Sequence, residues 1–213
     1  MAQRLKSDVR QRIVSAAAAE FLAKGFEGAH LSAIAARAGL STGNLYRYFS
    51  GKDALFLAAV PRDIAAALLR LTRSRVRELE ALPDWRGATG EGSAEAARLL
   101  QFWIDNRVAV SILLARADKS PLEQVRPLLE RHFNAIARRR FAQTHATPAS
   151  EARTFVMRRI FEGTLDIVAA ILSRFDDDAD IRRAIDAFWT YQLAGLEALA
   201  SASPPDATMP GRR

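Results

Sequence analysis

Apolar residues recur along this chain at helical spacing. Val9, Ile13, Ala16, Ala17 and Phe21 share one helical face, and Lys24-Gly25 predicts its close, the glycine as terminator. Leu31, Ile34, Ala35 and Ala38 repeat the spacing over a second, short helix that ends at Gly39. Ser41 can cap a third, with Leu45 and Phe49 as its buried edge. Ser50-Gly51-Lys52-Asp53 reads as a capping box that opens a fourth helix, broken or kinked at Pro61, with helix again from Ile64 to Leu82.

Leu82 to Ser93 (LPDWRGATGEGS) is the clearest interruption. Its glycines match neither a phosphate loop nor a dinucleotide fingerprint, so it reads as a surface loop. Helices are expected from Ser93 to about Asn106 and from Val108 to Ala117. Ser120-Pro121-Leu122-Glu123 predicts the start of another, and Thr147-Pro148 opens one reaching about Phe175. Asp176-Asp177-Asp178 caps the last, from about Ala179 to Ala200. Alternating strand patterns are absent. The expectation is an all-α fold of about nine helices: a helix-turn-helix over residues 1–51, a larger helical domain over 52–200, and a disordered tail over 201–213.

Composition narrows the function. The 213 residues are 49% hydrophobic, enough for a sizeable core. The net charge of +7 favours an anionic partner such as nucleic acid or a lipid surface. No cysteine is present, which removes disulfides and thiolate metal sites and fits a reducing compartment. No apolar run reaches the roughly 20 residues of a membrane span. His30, His132 and His145 lack metal-ligand spacing, and no serine sits in a nucleophile elbow, so an enzyme is not expected. No cofactor or metal is expected either.

Two short helices joined by Gly39-Leu40-Ser41 match a helix-turn-helix. The N-terminal end of the second must be slim and polar to enter a major groove, and Thr42, Gly43 and Asn44 are. An asparagine at Asn44 can read adenine bidentately, and Arg47 can reach a guanine edge or a phosphate. Tyr46, Tyr48 and Lys52 stand where phosphate strands would flank the groove. The basic arm, Arg4, Lys6, Arg10 and Arg12, is either a solvated helix end or a further phosphate or minor-groove contact.

The segment from about Asp8 to Val60 resembles the DNA-binding domain of the tetracycline-repressor (TetR) family of bacterial regulators. The residues that carry the resemblance are Ile13, Ala16 and Phe21, then Lys24-Gly25-Phe26, then Ile34 to Ser41, Gly43 to Phe49 and Lys52 to Leu55. The resemblance implies that Tyr46 and Lys52 grip phosphates, that Thr42, Gly43 and Asn44 read bases, and that Ser32 contributes from the second helix. Ser41 joins this set as the capping residue. Two positions depart from the family pattern: His30 stands where Ser or Thr usually caps the second helix, and Tyr48 where a histidine is common.

Helix-turn-helix proteins usually pair to read two half-sites. Leu165, Val168, Leu172, Ile185, Phe188, Trp189, Leu193 and Leu196 are the expected dimer face on the last two helices. Phe102, Trp103, Asn106, Arg107, Phe133, Phe161, Glu162 and Asp166 are the candidate effector-binding residues, mixing aromatics with hydrogen-bonding groups. The resulting expectation is a cytoplasmic bacterial regulator: a homodimeric repressor on an inverted-repeat DNA operator, released by a small-molecule effector. The alternatives are a DNA-binding protein without effector, or a helical enzyme.

Overall fold

The structure, a computed structural model, describes residues 2–85, 88, 93–144 and 151–201. These form ten helices: α1 (Ala2–Gly28), α2 (Leu31–Arg37), α3 (Thr42–Tyr46), α4 (Lys52–Ala59), α5 (Arg62–Ala81), α6 (Ala94–Asp105), α7 (Arg107–Ala115), α8 (Val125–Thr144), α9 (Glu151–Arg174) and α10 (Asp178–Ser201). Of the expected tail, Ser201 closes α10, and residues 202–213 and the Thr147-Pro148 helix start lie outside the described residues. No described helix is long and apolar enough to cross a membrane.

Several local signals act as read from the sequence, and some shift. Gly25 does adopt a positive φ of 70°, but it interrupts α1 rather than ending it. The added turn carries Phe26 into the core, where it meets Phe21 and Phe56 at centroid distances of 6.0 and 5.2 Å. Pro61 separates α4 from α5 outright. The predicted box at Ser50 does not form: Gly51 occupies the N-cap of α4, without a side-chain cap bond. Ser120 does accept from Leu122 N at 3.1 Å, but the helix begins only at Val125. Pro127 accounts for the delay, since a proline is tolerated in a first turn and would cost an interior hydrogen bond in a helix begun at Pro121. Asp177 caps α10 by accepting from Ala179 N and Asp180 N at 2.9 and 3.1 Å.

α1 packs on α2, α4 and α7, while α7 lies along α9. The head made of α1–α4 is joined to the rest by short polar ties as well as by packing. Phe26 N donates to Arg116 O at 3.0 Å, and Lys119 pairs with Glu27 at 2.6 Å. A continuous apolar core runs from Ile13 and Phe21 through Leu113 and Leu114 to Val168 and Leu172. A second cluster gathers Val76, Trp85, Ile136, Phe161 and Leu193 at the far end.

Candidate nucleic-acid interface

The turn between α2 and α3 is built by its backbone. Gly39 takes φ 72°, Leu40 N donates to Ala35 O at 2.9 Å, and Gly39 N donates to Ala36 O at 3.0 Å. This pairing of bonds is a Schellman stop, which satisfies the last carbonyls of α2 and turns the chain sharply. Two residues on, Ser41 accepts from Asn44 N at 3.3 Å and so starts α3. His30 holds the N-cap of α2 without a side-chain cap bond, as its poor capping chemistry leads one to expect.

Leu45 and Phe49 are buried and fasten α3 to the head. Their burial turns the other side of the helix outward. Ser32, Ser41, Gly43, Asn44, Tyr46 and Arg47 are exposed, and Thr42, Tyr48 and Lys52 are half-buried. Tyr46 is 54% exposed, a large amount for an aromatic residue. A Cβ added at Gly43 would meet no atom within 4 Å, so nothing inside the chain requires a glycine there. Lys52 is partly engaged already: its Nζ donates to Glu27 O at 2.9 Å and lies 4.9 Å over the Phe26 ring. That contact holds the ammonium between the C-terminal end of α1 and the first turn of α4. In the basic arm, Arg10 lies 5.0 Å over the Phe49 ring, which anchors at least that member. Residues 1–59 hold eight Lys and Arg against four Asp and Glu, more than half of the chain's surplus of +7.

The remaining candidate residues divide on inspection. A narrow cavity of about 70 Å³ lies between α5, α6, α8 and α10, lined by Thr72, Val76, Leu79, Leu99, Trp103, Phe133, Ile185, Trp189 and Leu193 among others. Of the eight expected effector residues, Trp103 and Phe133 line it, and Phe161 stacks behind Phe133 at 5.6 Å. The other five lie elsewhere. Phe102 is half-buried off the cavity, and its carbonyl accepts from Asn106 Nδ2 at 2.9 Å. Arg107 pairs with Asp176 at 2.6 Å. Glu162 pairs with Arg158 and Arg159, and Asp166 with Arg126 at 2.6 Å. Although burial works against it, the bonds from Asp166 and Glu130 hold the Arg126 guanidinium pKa above its ordinary value. Polar groups already spent in this way are not the orienting groups of a pocket.

The cavity's own polar groups are few. Arg75 reaches its edge but is tied to Glu78 at 2.7 Å, to Ser93 Oγ at 3.1 Å and to the Ala88 carbonyl. Burial pushes the Glu78 carboxyl up, but the Ser93 hydroxyl and Arg75 outweigh it and hold the pKa below the ordinary 4.5. Trp103 is 6% exposed, and its indole Nε1 is buried with no hydrogen-bond partner. An unsatisfied buried donor of this kind costs about 1–3 kcal/mol. The α5 lining has a signal in the sequence, since Thr72, Val76 and Leu79 keep helical spacing. Nothing in that spacing distinguishes a cavity wall from ordinary core.

The expected dimer face also needs correction. Leu165, Val168, Leu172, Ile185, Leu193 and Leu196 are all buried within the chain itself. Only Phe188 and Trp189 are half-buried, and Trp189 faces the cavity. The stripe that sequence periodicity assigned to a partner is this chain's own core. The apolar groups left outside are different: Phe155 at 54%, Val156, Ile167 at 44% and Tyr191 at 77% exposure.

A glycine-stopped helix, a serine-capped short helix with an exposed polar tip, and a surplus of positive charge define a helix-turn-helix protein. Residues 13–59 match the profile of bacterial regulatory proteins, tetR family. It is this N-terminal segment that is similar to that family. Over 69 residues the chain is 38% identical to the uncharacterized HTH-type transcriptional regulator YdgC of Bacillus subtilis (strain 168), covering 32% of this chain. The chain spans about a third of that relative's length, 35%. Similar solved structures include the TetR family regulator PfmR of Thermus thermophilus, 19% identical over 87% of this chain and 99% of that one, TM-score 0.48. Another is a TetR family regulator of Chloroflexus aurantiacus J-10-FL, 18% identical over 91% of this chain and 90% of that one, TM-score 0.49.

Proposed function

We propose that this chain is a cytoplasmic transcriptional repressor that binds an inverted-repeat DNA operator as a homodimer and leaves it when a small molecule occupies the cavity. The observation that carries the DNA reading is Gly43. It sits at the exposed tip of α3, where an added Cβ would meet no atom within 4 Å. Slimness there serves a close approach from outside, and Asn44 and Arg47 beside it bring base-reading groups. Tyr46, which is exposed, and Lys52, already held at the mouth of α4, are the phosphate grips. Ser32 on α2, Thr42 in α3 and Tyr48 after it complete the contact set.

The homodimer uses the outer sides of α9 and α10. Val156, Ile160, Gly163, Ile167 and Ile171 follow helical spacing on α9, and Ala187, Tyr191, Ala194 and Ala198 do so on α10. Small residues flanking exposed Ile167 and Tyr191 let two such helices approach their copies closely, which suits a four-helix interface. Coupling to the cavity has two physical routes. α5 lines the cavity and is separated from α4 by only two residues, buried Val60 and Pro61 at its N-cap. The Phe26–Arg116 and Glu27–Lys119 ties link the head to the end of α7. The effector must bind the DNA-free arrangement better than the DNA-bound one, because equal affinity shifts nothing.

The test is selection of DNA fragments by the purified protein at near-physiological salt, followed by footprinting of those retained. A protected inverted repeat is expected. Uniform retention of all fragments would leave a basic protein without a reading head, since non-specific binding comes from phosphate neutralisation alone.

A further inference from the structure

We propose that the cavity takes a compact, uncharged, largely apolar molecule carrying one hydrogen-bond acceptor, such as a single-ring aryl ketone, and that the acceptor is bound by the Trp103 indole N–H. The inference rests on the cavity being the effector site and names the ligand chemistry that site selects.

Three observations carry it. The lining is aromatic and aliphatic, with Phe133, Trp189 and Leu99 around Trp103, and the space is narrow at about 70 Å³. This sets the body of the ligand as compact and apolar. Secondly, Trp103 Nε1 is buried without a partner, whereas the Trp85 indole donates to Leu79 O at 2.9 Å. An indole nitrogen donates only, so the group that satisfies Trp103 must be an acceptor. Thirdly, the two charged residues of the lining disfavour an anion. Arg75 is neutralised by Glu78, and Asp186, exposed at the edge, would repel a carboxylate. The acceptor is therefore a neutral oxygen or nitrogen. Seating it asks the lining to widen and the Trp103 ring to shift, as a single-ring ketone exceeds the space of about 70 Å³ and the nitrogen is fully covered.

The experiment compares acetophenone with α-methylstyrene, which replaces the carbonyl oxygen by a methylene at nearly constant shape, and with benzoate as the anion. Each is titrated into ¹⁵N-labelled full-length protein while the three tryptophan indole resonances are followed. The Trp103→Phe variant, which keeps an apolar ring and loses the donor, identifies the Trp103 signal by its disappearance. Acetophenone should move that signal downfield and bind about tenfold more tightly than α-methylstyrene, the factor of one net hydrogen bond. Trp103→Phe should erase the difference. Equal affinity for the two in wild-type protein overturns the proposal, as do tighter binding of benzoate, a preference that survives in Trp103→Phe, or no binding of acetophenone. The wild-type contrast decides the matter even if the variant folds poorly. Release of an operator fragment is measured alongside. Trp103-dependent binding without release would leave the ligand chemistry standing and remove the effector reading; release by other molecules without aryl ketone binding would do the reverse.

Discussion

The head and the helical body treat their polar residues in opposite ways. In the body, charged side chains are turned on one another. Arg126 collects Glu130 and Asp166, Arg140 meets Glu197 at 2.7 Å, and Arg75 ties Glu78, Ser93 and Ala88 together. In the head, Asn44, Tyr46 and Arg47 stand outside the fold on a helix whose only buried member is Leu45. Residues that a fold does not consume are available to a partner. The contrast teaches where function can be read directly: it is plain in the head and concealed in the body, where the same residue types close internal networks.

The largest expected effect tests the body's side of this contrast. Glu197 is 5% exposed, accepts from Arg140, and accepts from Trp85 N at 3.3 Å. Those bonds pin the segment after α5 against α8 and α10, with Arg140 also lying 5.5 Å over the Trp85 ring. Removing one partner of a buried pair leaves the other charge uncompensated, which typically costs about 3–5 kcal/mol. Glu197→Ala should therefore lower unfolding free energy by about that amount in chemical denaturation. A loss below about 1 kcal/mol, the range of exposed pairs, would show that the network does not close the body as described.

For the exposed residues of α3 and the start of α4 the prediction inverts, with recognition changing more than stability. Asn44→Ala should relax preference at one base position by about 1–3 kcal/mol, measured by competition among operator variants. Lys52→Ala should weaken all sequences alike and reduce the salt slope by about 1. It should also loosen the head, because Lys52 donates to Glu27 O. If both variants act alike on DNA, the division between reading and gripping fails.

This difference also explains what the sequence disclosed. The helix-turn-helix was legible almost residue by residue: Gly39, Ser41, Leu45 and Phe49 are local signals whose roles depend on close chain neighbours. The effector and dimer assignments fared less well because they depend on which side of a helix meets which neighbour. Leu165, Val168 and Leu172 form an apolar stripe whether they face a partner or α7, and periodicity does not distinguish the two. Glu162 and Asp166 share a helical face, but Arg126, Arg158 and Arg159 decide what they do. Trp103 was legible as a bulky aromatic; its unpartnered nitrogen depends on the packing of other helices.

Two glycines sharpen the comparison at smaller magnitude. Gly39 is needed by the fold, since its φ of 72° belongs to the left-handed region. Gly39→Ala should cost about 1–2 kcal/mol of stability. Gly43 lies in a helix with open space around it, so Gly43→Ala should raise stability by about 0.5–1 kcal/mol. The added methyl should weaken operator binding at the same time. Melting curves and operator titrations on the two variants give a crossed pattern if Gly43 is kept for DNA. If Gly43→Ala binds the operator as well as the parent, slimness at that position is not a recognition device.

The smallest effect concerns acid. Glu78 has a folded pKa below its ordinary 4.5, because its bonds to Ser93 and Arg75 outweigh its burial. A depressed carboxylate contributes stability that is present above the unfolded pKa and lost as pH falls through the folded one. The contribution should thus be complete above about pH 4.5 and fade below it. With Glu78 partly open to solvent, about 1 kcal/mol or less is expected. The comparison with Glu78→Gln isolates it, since every other carboxylate titrates in both proteins. The stability gap between parent and variant should be constant at neutral pH and narrow on acidification below pH 4.5. A gap that holds at low pH would assign the tie to hydrogen bonding that the protonated acid supplies as well as the carboxylate and that glutamine does not. A gap that closes shows that the charge on Glu78 carries the tie to Arg75 at the cavity edge, where the guanidinium is thereby neutralised and the preference for an uncharged ligand stands.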